Sequence, residues 1–96
     1  HSDVTKLMSG LRVNPPQKIA GRVVESIDDL EKPSNDLPPT DGLRIWLAGG
    51  IRIIIRPSGT EAKMKCYVEV IAPDSVSAQI VLDELRSPLR ALLTLN

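Results

Sequence analysis

Residues 43–72 read LRIWLAGGIRIIIRPSGTEAKMKCYVEVIA, and the reading of this stretch decides the fold. Leu43 to Ala48 and Ile51 to Ile55 are short runs rich in branched apolar residues, and Gly49-Gly50 between them is a two-residue hairpin signal. With that pair as the turn, Trp46 stands opposite Ile53 and Ile45 opposite Ile54. Both faces then carry apolar side chains, as expected of central strands. From Lys63 to Ala72 the alternation is regular: Met64, Cys66, Val68 and Val70 fall on one face, with Lys63, Lys65, Tyr67 and Glu69 on the other. Such a strand covers a core on one side only.

Working outward, Val4, Leu7, Met8 and Leu11 recur at helical spacing and predict a helix over 4–11. Asn14-Pro15-Pro16 ends it, because proline lacks the amide donor and restricts the residue before it. Arg22 to Ile27 reads as a strand with imperfect alternation. Residues 31–42, with three prolines, a glycine and several short polar side chains, read as a surface loop. Beyond the strand ending at Ala72, Asp74 is placed to cap a helix. Val76, Ile80, Val81 and Leu85 supply its buried stripe. Pro88 is expected to interrupt or restart that helix, with Ser87 capping a short final one that carries Leu89, Leu92 and Leu93. The order is helix, four strands, helix. It predicts an α+β domain: a four-stranded antiparallel sheet with two helices packed on one face.

Ninety-six residues suffice for one domain and not for two, and the 42% apolar fraction is that of a globular chain, not a disordered tail. No apolar run approaches the roughly 18 residues of a membrane span, so no membrane partner is expected. Formal net charge is zero, which removes the long-range field of a protein that grips nucleic acid through its backbone. Any bound anion must therefore be gripped locally. His1-Ser2 reads as a cloning remnant, residues 3–96 as a single domain cut from a larger protein. The single cysteine, Cys66, cannot form an internal disulfide, which suits a cytoplasmic location.

The segment from Arg56 to Lys63, RPSGTEAK, carries more chemistry than a hairpin requires. Pro57 stiffens the approach, and Gly59 permits positive φ and close backbone contact. Together they can turn successive amides inward to form an anion nest. Ser58 and Thr60 add hydroxyl donors. Arg56 offers a planar fork for two phosphate oxygens, with Lys63 as a mobile point charge nearby. Turns favour the same residue types. On local chemistry alone a plain turn and an anion grip both stand.

The same residues carry a resemblance. Arg56-Pro-Ser-Gly-Thr-Glu61, followed by Lys63 and the Tyr67-Val-Glu-Val70 strand, resembles the signature of the fourth domain of the α-D-phosphohexomutases. That family includes phosphoglucomutase, phosphomannomutase and phosphoglucosamine mutase. Asp41-Gly42-Leu43-Arg44 and the glycine-turned hairpin occur upstream in the family's order. Leu11-Arg-Val-Asn-Pro-Pro16 is similar to the branch with phosphoglucomutase-2-like and phosphopentomutase-like enzymes. The resemblance spans residues 4–86 and is most specific over 41–72.

It implies a TATA-binding-protein-like fold that hinges over an active site built by three preceding domains of the same chain. It also implies a loop that holds the phosphate of a phosphosugar that is not being transferred. Matched residue by residue, Arg56 pairs with that phosphate, Ser58 and Thr60 donate hydroxyls, Gly59 donates its amide, and Lys63 adds charge. Lys65, on the same strand face as Lys63, is a weaker candidate still. Ala62 stands where the family usually has proline, which bears on loop rigidity. The phosphoserine, the magnesium-binding aspartates and the sugar-selecting loop belong to the earlier domains, so this domain by itself is expected to be inactive and to hold no cofactor.

Other residues point nowhere else. Asp28-Asp29 reads as a solvated strand-end pair, too few ligands for a metal. Cys66 faces the core and reads as a small hydrophobe, not a nucleophile. Trp46 and Tyr67 are the only aromatics, few for an RNA-stacking sheet. The rival from another class is a stand-alone module that binds protein or nucleic acid through its sheet, with RPSGTEAK as an ordinary turn.

Overall fold

The computed structural model describes residues 2–32, 38–58 and 63–93, with side chains from Val4. Two helices and one antiparallel sheet make an α+β domain, with elements in the order α1 (Ser2–Val13), β1 (Lys18–Ile19), β2 (Arg22–Asp29), β3 (Leu43–Leu47), β4 (Ile51–Pro57), β5 (Met64–Val70) and α2 (Ser75–Leu92). The strands follow one another across the sheet as β1-β2-β3-β4-β5. One strand exceeds the four expected: the two-residue β1, which reaches β2 through Ala20 and Gly21, both at positive φ.

Alternation explains the layering. Leu43, Ile45 and Leu47 of β3 and Ile51, Ile53 and Ile55 of β4 are all buried, in one cluster with Met8 and Leu11 of α1 and Leu85 and Leu89 of α2. Both helices therefore cover the same face. Met64, Cys66, Val68 and Val70 of β5 pack against this cluster as their spacing predicts. Burial pushes the Cys66 thiol above its usual pKa, so it sits there as a neutral core side chain.

The β3–β4 register differs from the two-residue-turn reading. Leu47 pairs with Ile51, Trp46 with Arg52 and Ile45 with Ile53, so the connection is the three residues Ala48, Gly49 and Gly50, with both glycines at positive φ. Moving the turn by one residue reverses the face of every partner. The apolar residues of both strands then share one face, and the other is left to Arg44, Trp46, Arg52, Ile54 and Arg56. Ile54 is the one branched aliphatic residue of β4 on that open face. In β2 the register shifts between Val24 and Ser26, and this bulge is the cause of its imperfect alternation.

The second correction concerns α2. Asp74 caps it as expected, with Oδ1 accepting from the Ser77 amide at 2.7 Å. The helix then runs through Pro88 to Leu92 without the predicted break. Pro88 leaves the Glu84 carbonyl without its helical donor, but Leu85 and Leu89 on either side are both buried in the core, and that packing holds the helix across the gap. Among the described residues no helix is long and apolar enough to cross a membrane.

The register makes a direct prediction for urea denaturation. Ile53→Ala, in the fully buried layer, should lose about 2–5 kcal/mol, and Ile54→Ala, on the open face, less than about 1.5 kcal/mol. Equal losses would contradict the register.

Candidate anion site at the end of the β4–β5 hairpin

The β4–β5 ladder pairs Ile51 with Val70 at one end and Arg56 with Lys65 and Pro57 with Met64 at the other. One step further the Ser58 amide donates to the Lys63 carbonyl at 2.8 Å. Arg56, Ser58, Lys63 and Lys65 are thereby gathered at one end of the hairpin. Gly59 and Thr60, also expected in the site, lie outside the described residues.

Arg56 and Lys65 are both exposed and directly opposite on the open face. Neither forms an ion pair or side-chain hydrogen bond among the described residues. Like charges in opposed positions repel unless an anion lies between them. By sequence Lys65 is the weakest candidate. The ladder makes it the residue facing Arg56. The signal was its shared parity with Lys63; the register needed to align it with Arg56 is a tertiary fact.

The surroundings of Arg56 and Ser58 differ. Arg56 borders an open hollow of about 440 Å³ with Leu30, Pro38, Pro39, Thr40 and Ile54. Pro57 and Ser58 border a smaller cleft of about 240 Å³ against α1, where Thr5, Ser9, Arg12 and Asp41 are the polar walls. The Arg56 stem passes close to Gly42, where an added Cβ would lie 3.0 Å from Arg56 Cγ.

Elsewhere on the open face the charges are neutralised. Asp28 Oδ2 accepts from Arg44 Nε at 2.8 Å and from Trp46 Nε1 at 2.9 Å. The Arg44 and Arg52 guanidinium carbons lie 5.5 and 6.0 Å from the Trp46 ring centroid, and Arg52 Nη2 donates to Glu69 Oε2 at 3.2 Å. Both aromatics are on this face, but the Trp46 ring lies against two guanidiniums. Asp28 and Asp29 are not the solvated pair that the sequence suggests. Successive strand residues point to opposite faces, and Asp29 goes to Arg12 behind the sheet.

Arg12 is a hub that sequence reasoning missed, because its partners are far along the chain. Its Nη2 is 2.6 Å from Asp41 Oδ1 and 3.0 Å from Glu31 Oε1, and its Nε is 3.4 Å from Asp29 Oδ2. The last contact is a charge pairing without hydrogen-bond geometry, which leaves that nitrogen without a hydrogen-bond partner. Burial alone would favour a neutral guanidinium, but the hydrogen bond that Arg12 donates to Asp41 and the fields of all three carboxylates outweigh it and raise the Arg12 pKa. Among the described residues no three His, Cys, Asp or Glu side chains converge as metal ligands.

Residues 11–87 match the family model for the phosphoglucomutase/phosphomannomutase C-terminal domain. A probable phosphomannomutase of Haemophilus influenzae is 40% identical over 93 residues, covering 96% of this chain and 18% of the relative. A phosphoglucomutase of Staphylococcus aureus is 37% identical over 82 residues, covering 74% of this chain and 15% of the relative. The chain thus spans less than a fifth of the length of these curated relatives.

The opposed cations make a prediction that rests on no relative. At low ionic strength Lys65→Gln should stabilise the domain by about 0.2–1 kcal/mol through relief of cross-strand repulsion. Salt near 1 M should abolish the gain. A loss of stability at low salt would show that Lys65 has a neutralising partner.

Proposed function

The chain belongs to the phosphoglucomutase/phosphomannomutase family as its C-terminal domain, and from that membership we propose that the end of the β4–β5 hairpin holds the phosphate of a phosphosugar. One observation carries the reading: Arg56 and Lys65 face each other across the ladder with no ion-pair partner among the described residues, beside Ser58 and Lys63. A phosphate dianion supplies the charge this pair lacks. The Arg56 fork takes two oxygens, Lys65 adds a point charge, and the Ser58 hydroxyl donates. Thr60, the Gly59 amide and Lys63 complete the grip in this proposal.

The groups in this grip bind and orient; none is asked to move a proton. Positioning and electrostatic complementarity are their whole contribution. In the intact protein, the proposed reaction is an isomerisation in which a phosphoryl group passes between two positions of the sugar. The phosphate held here is the one not being transferred, and the domain closes over the site as the substrate seats. Magnesium and the phosphoserine belong to the three preceding domains. The described residues do not fit a metal, since Asp28 and Asp29 are committed to Arg44, Trp46 and Arg12. Isolated, the domain is inactive in this scheme. A reducing cytoplasm suits its lone thiol.

Steady-state kinetics of the intact mutase test the reading. Arg56→Ala should weaken kcat/KM by about 2–3 kcal/mol, roughly 30- to 150-fold, the scale of a charge-assisted contact. Lys65→Ala should cost less, since a point charge lacks the two-oxygen fit of the guanidinium. An unchanged kcat/KM in Arg56→Ala would sink the assignment.

A further inference from the structure

We infer that Gly42 is a positioning residue for the anion grip, keeping open the lane across the sheet in which the Arg56 stem lies; the functional part of this inference rests on the phosphate-binding role proposed above. Gly42 directly precedes β3, one step beyond the Leu43–Ile55 pair. It is buried, and it is not among the glycines at positive φ. Its backbone therefore makes no demand that another residue would fail to meet. Space makes the demand. A Cβ there would stand 3.0 Å from Arg56 Cγ, 3.0 Å from the Ile55 carbonyl oxygen and 3.3 Å from Leu30 Cδ1. Comfortable carbon–carbon contacts begin near 3.5 Å, so something must yield.

Two of the three neighbours are less free to yield, since one is backbone and the other belongs to a buried residue. Ile55 belongs to the β3–β4 ladder. Leu30 donates its amide to the Gly42 carbonyl at 3.0 Å and accepts from the Thr40 amide at 2.8 Å. The Arg12 hub secures the same place from behind, because its partner Asp41 adjoins Gly42 while Asp29 and Glu31 flank Leu30. The exposed Arg56 side chain is the group left to move. In the native chain its Cγ lies beside Gly42, and Arg56 borders the hollow with Ile54 and Thr40. Restricting a long side chain before the ligand arrives reduces the rotamer freedom lost on binding. The Asp41-Gly42-Leu43-Arg44 run thus serves the loop that follows it by 14 residues in sequence, though it touches no phosphate itself.

The test has a conformational arm and a kinetic arm. In the nitrogen-15-labelled chain, Gly42→Ala should shift the Arg56 Nε–Hε resonance. An unmoved resonance overturns the inference whatever the kinetics show. In the intact mutase, Gly42→Ala should raise the KM for phosphosugar and the inhibition constant of inorganic phosphate together, each roughly tenfold. In an Arg56→Ala background the same change should alter kcat/KM less than about twofold, since the residue acts through Arg56. Penalties that multiply instead would overturn the positioning role while leaving Arg56 as a phosphate ligand. A silent Arg56→Ala would remove the phosphate reading itself, and the resonance would then still decide whether Gly42 sets the Arg56 stem. If Gly42→Ala fails to fold, Gly42→Ala/Arg56→Ala should recover soluble protein, because the Cγ contact is gone. A double variant that also fails places the demand for space at the Ile55 carbonyl, 3.0 Å from the same Cβ, and overturns the Arg56-specific role.

Discussion

Leu43, Ile45, Leu47, Ile51, Ile53 and Ile55 all enter a single layer between the sheet and the two helices, and every other position of β3 and β4 must in consequence face outward. Each such side chain contributes about 1.5–3 kcal/mol by leaving water. The one-sided arrangement is accordingly far more stable than any register that divides the six between two faces. The turn of Ala48, Gly49 and Gly50 selects it. A slip of β4 by one residue would drive Arg52 and Arg56 inward, where an unpaired guanidinium is much more costly than a lost aliphatic contact.

From that constraint the open face follows. Arg52 meets Glu69, Arg44 meets Asp28, and both guanidiniums lie against Trp46. The same parity delivers Arg56 to Lys65, where no such partner waits among the described residues. Even at about 5 Å, repulsion between two exposed unit charges is only about 1 kcal/mol in water, small beside the layer beneath. A fold with this core can sustain two like charges opposed at the hairpin end, the arrangement on which the proposed phosphate grip draws.

Much of this was legible in the chain. The β5 alternation, the Asp74 cap and the α1 stripe are local patterns, and each is where the sequence puts it. What failed was decided by contacts distant in sequence. Glycine pairs signal a turn but do not say whether Ala48 belongs to it; the packing of Ile53 against the helices does. Pro88 has an intrinsic tendency to break a helix, and the burial of Leu85 and Leu89 overrides it. The carboxylates of Arg12 come from residues 29, 31 and 41, brought together by the β2–β3 connection. Lys65 looked peripheral because its distance from Arg56 is set by a ladder, not by spacing. The space that Gly42 leaves for the Arg56 stem is likewise a tertiary contact, 14 residues away in sequence.

The proposed meeting place of this domain and its ligand is the β4–β5 hairpin end, and not the broad sheet face. Amide shift mapping of the labelled chain, titrated in parallel with glucose 1-phosphate and single-stranded RNA, tests it most directly. The account predicts millimolar or tighter phosphosugar shifts centred on Arg56, Ser58, Lys63 and Lys65, and no RNA response across Trp46 and Tyr67. Shifts spread over the sheet with RNA, and a silent hairpin end with phosphosugar, would contradict it.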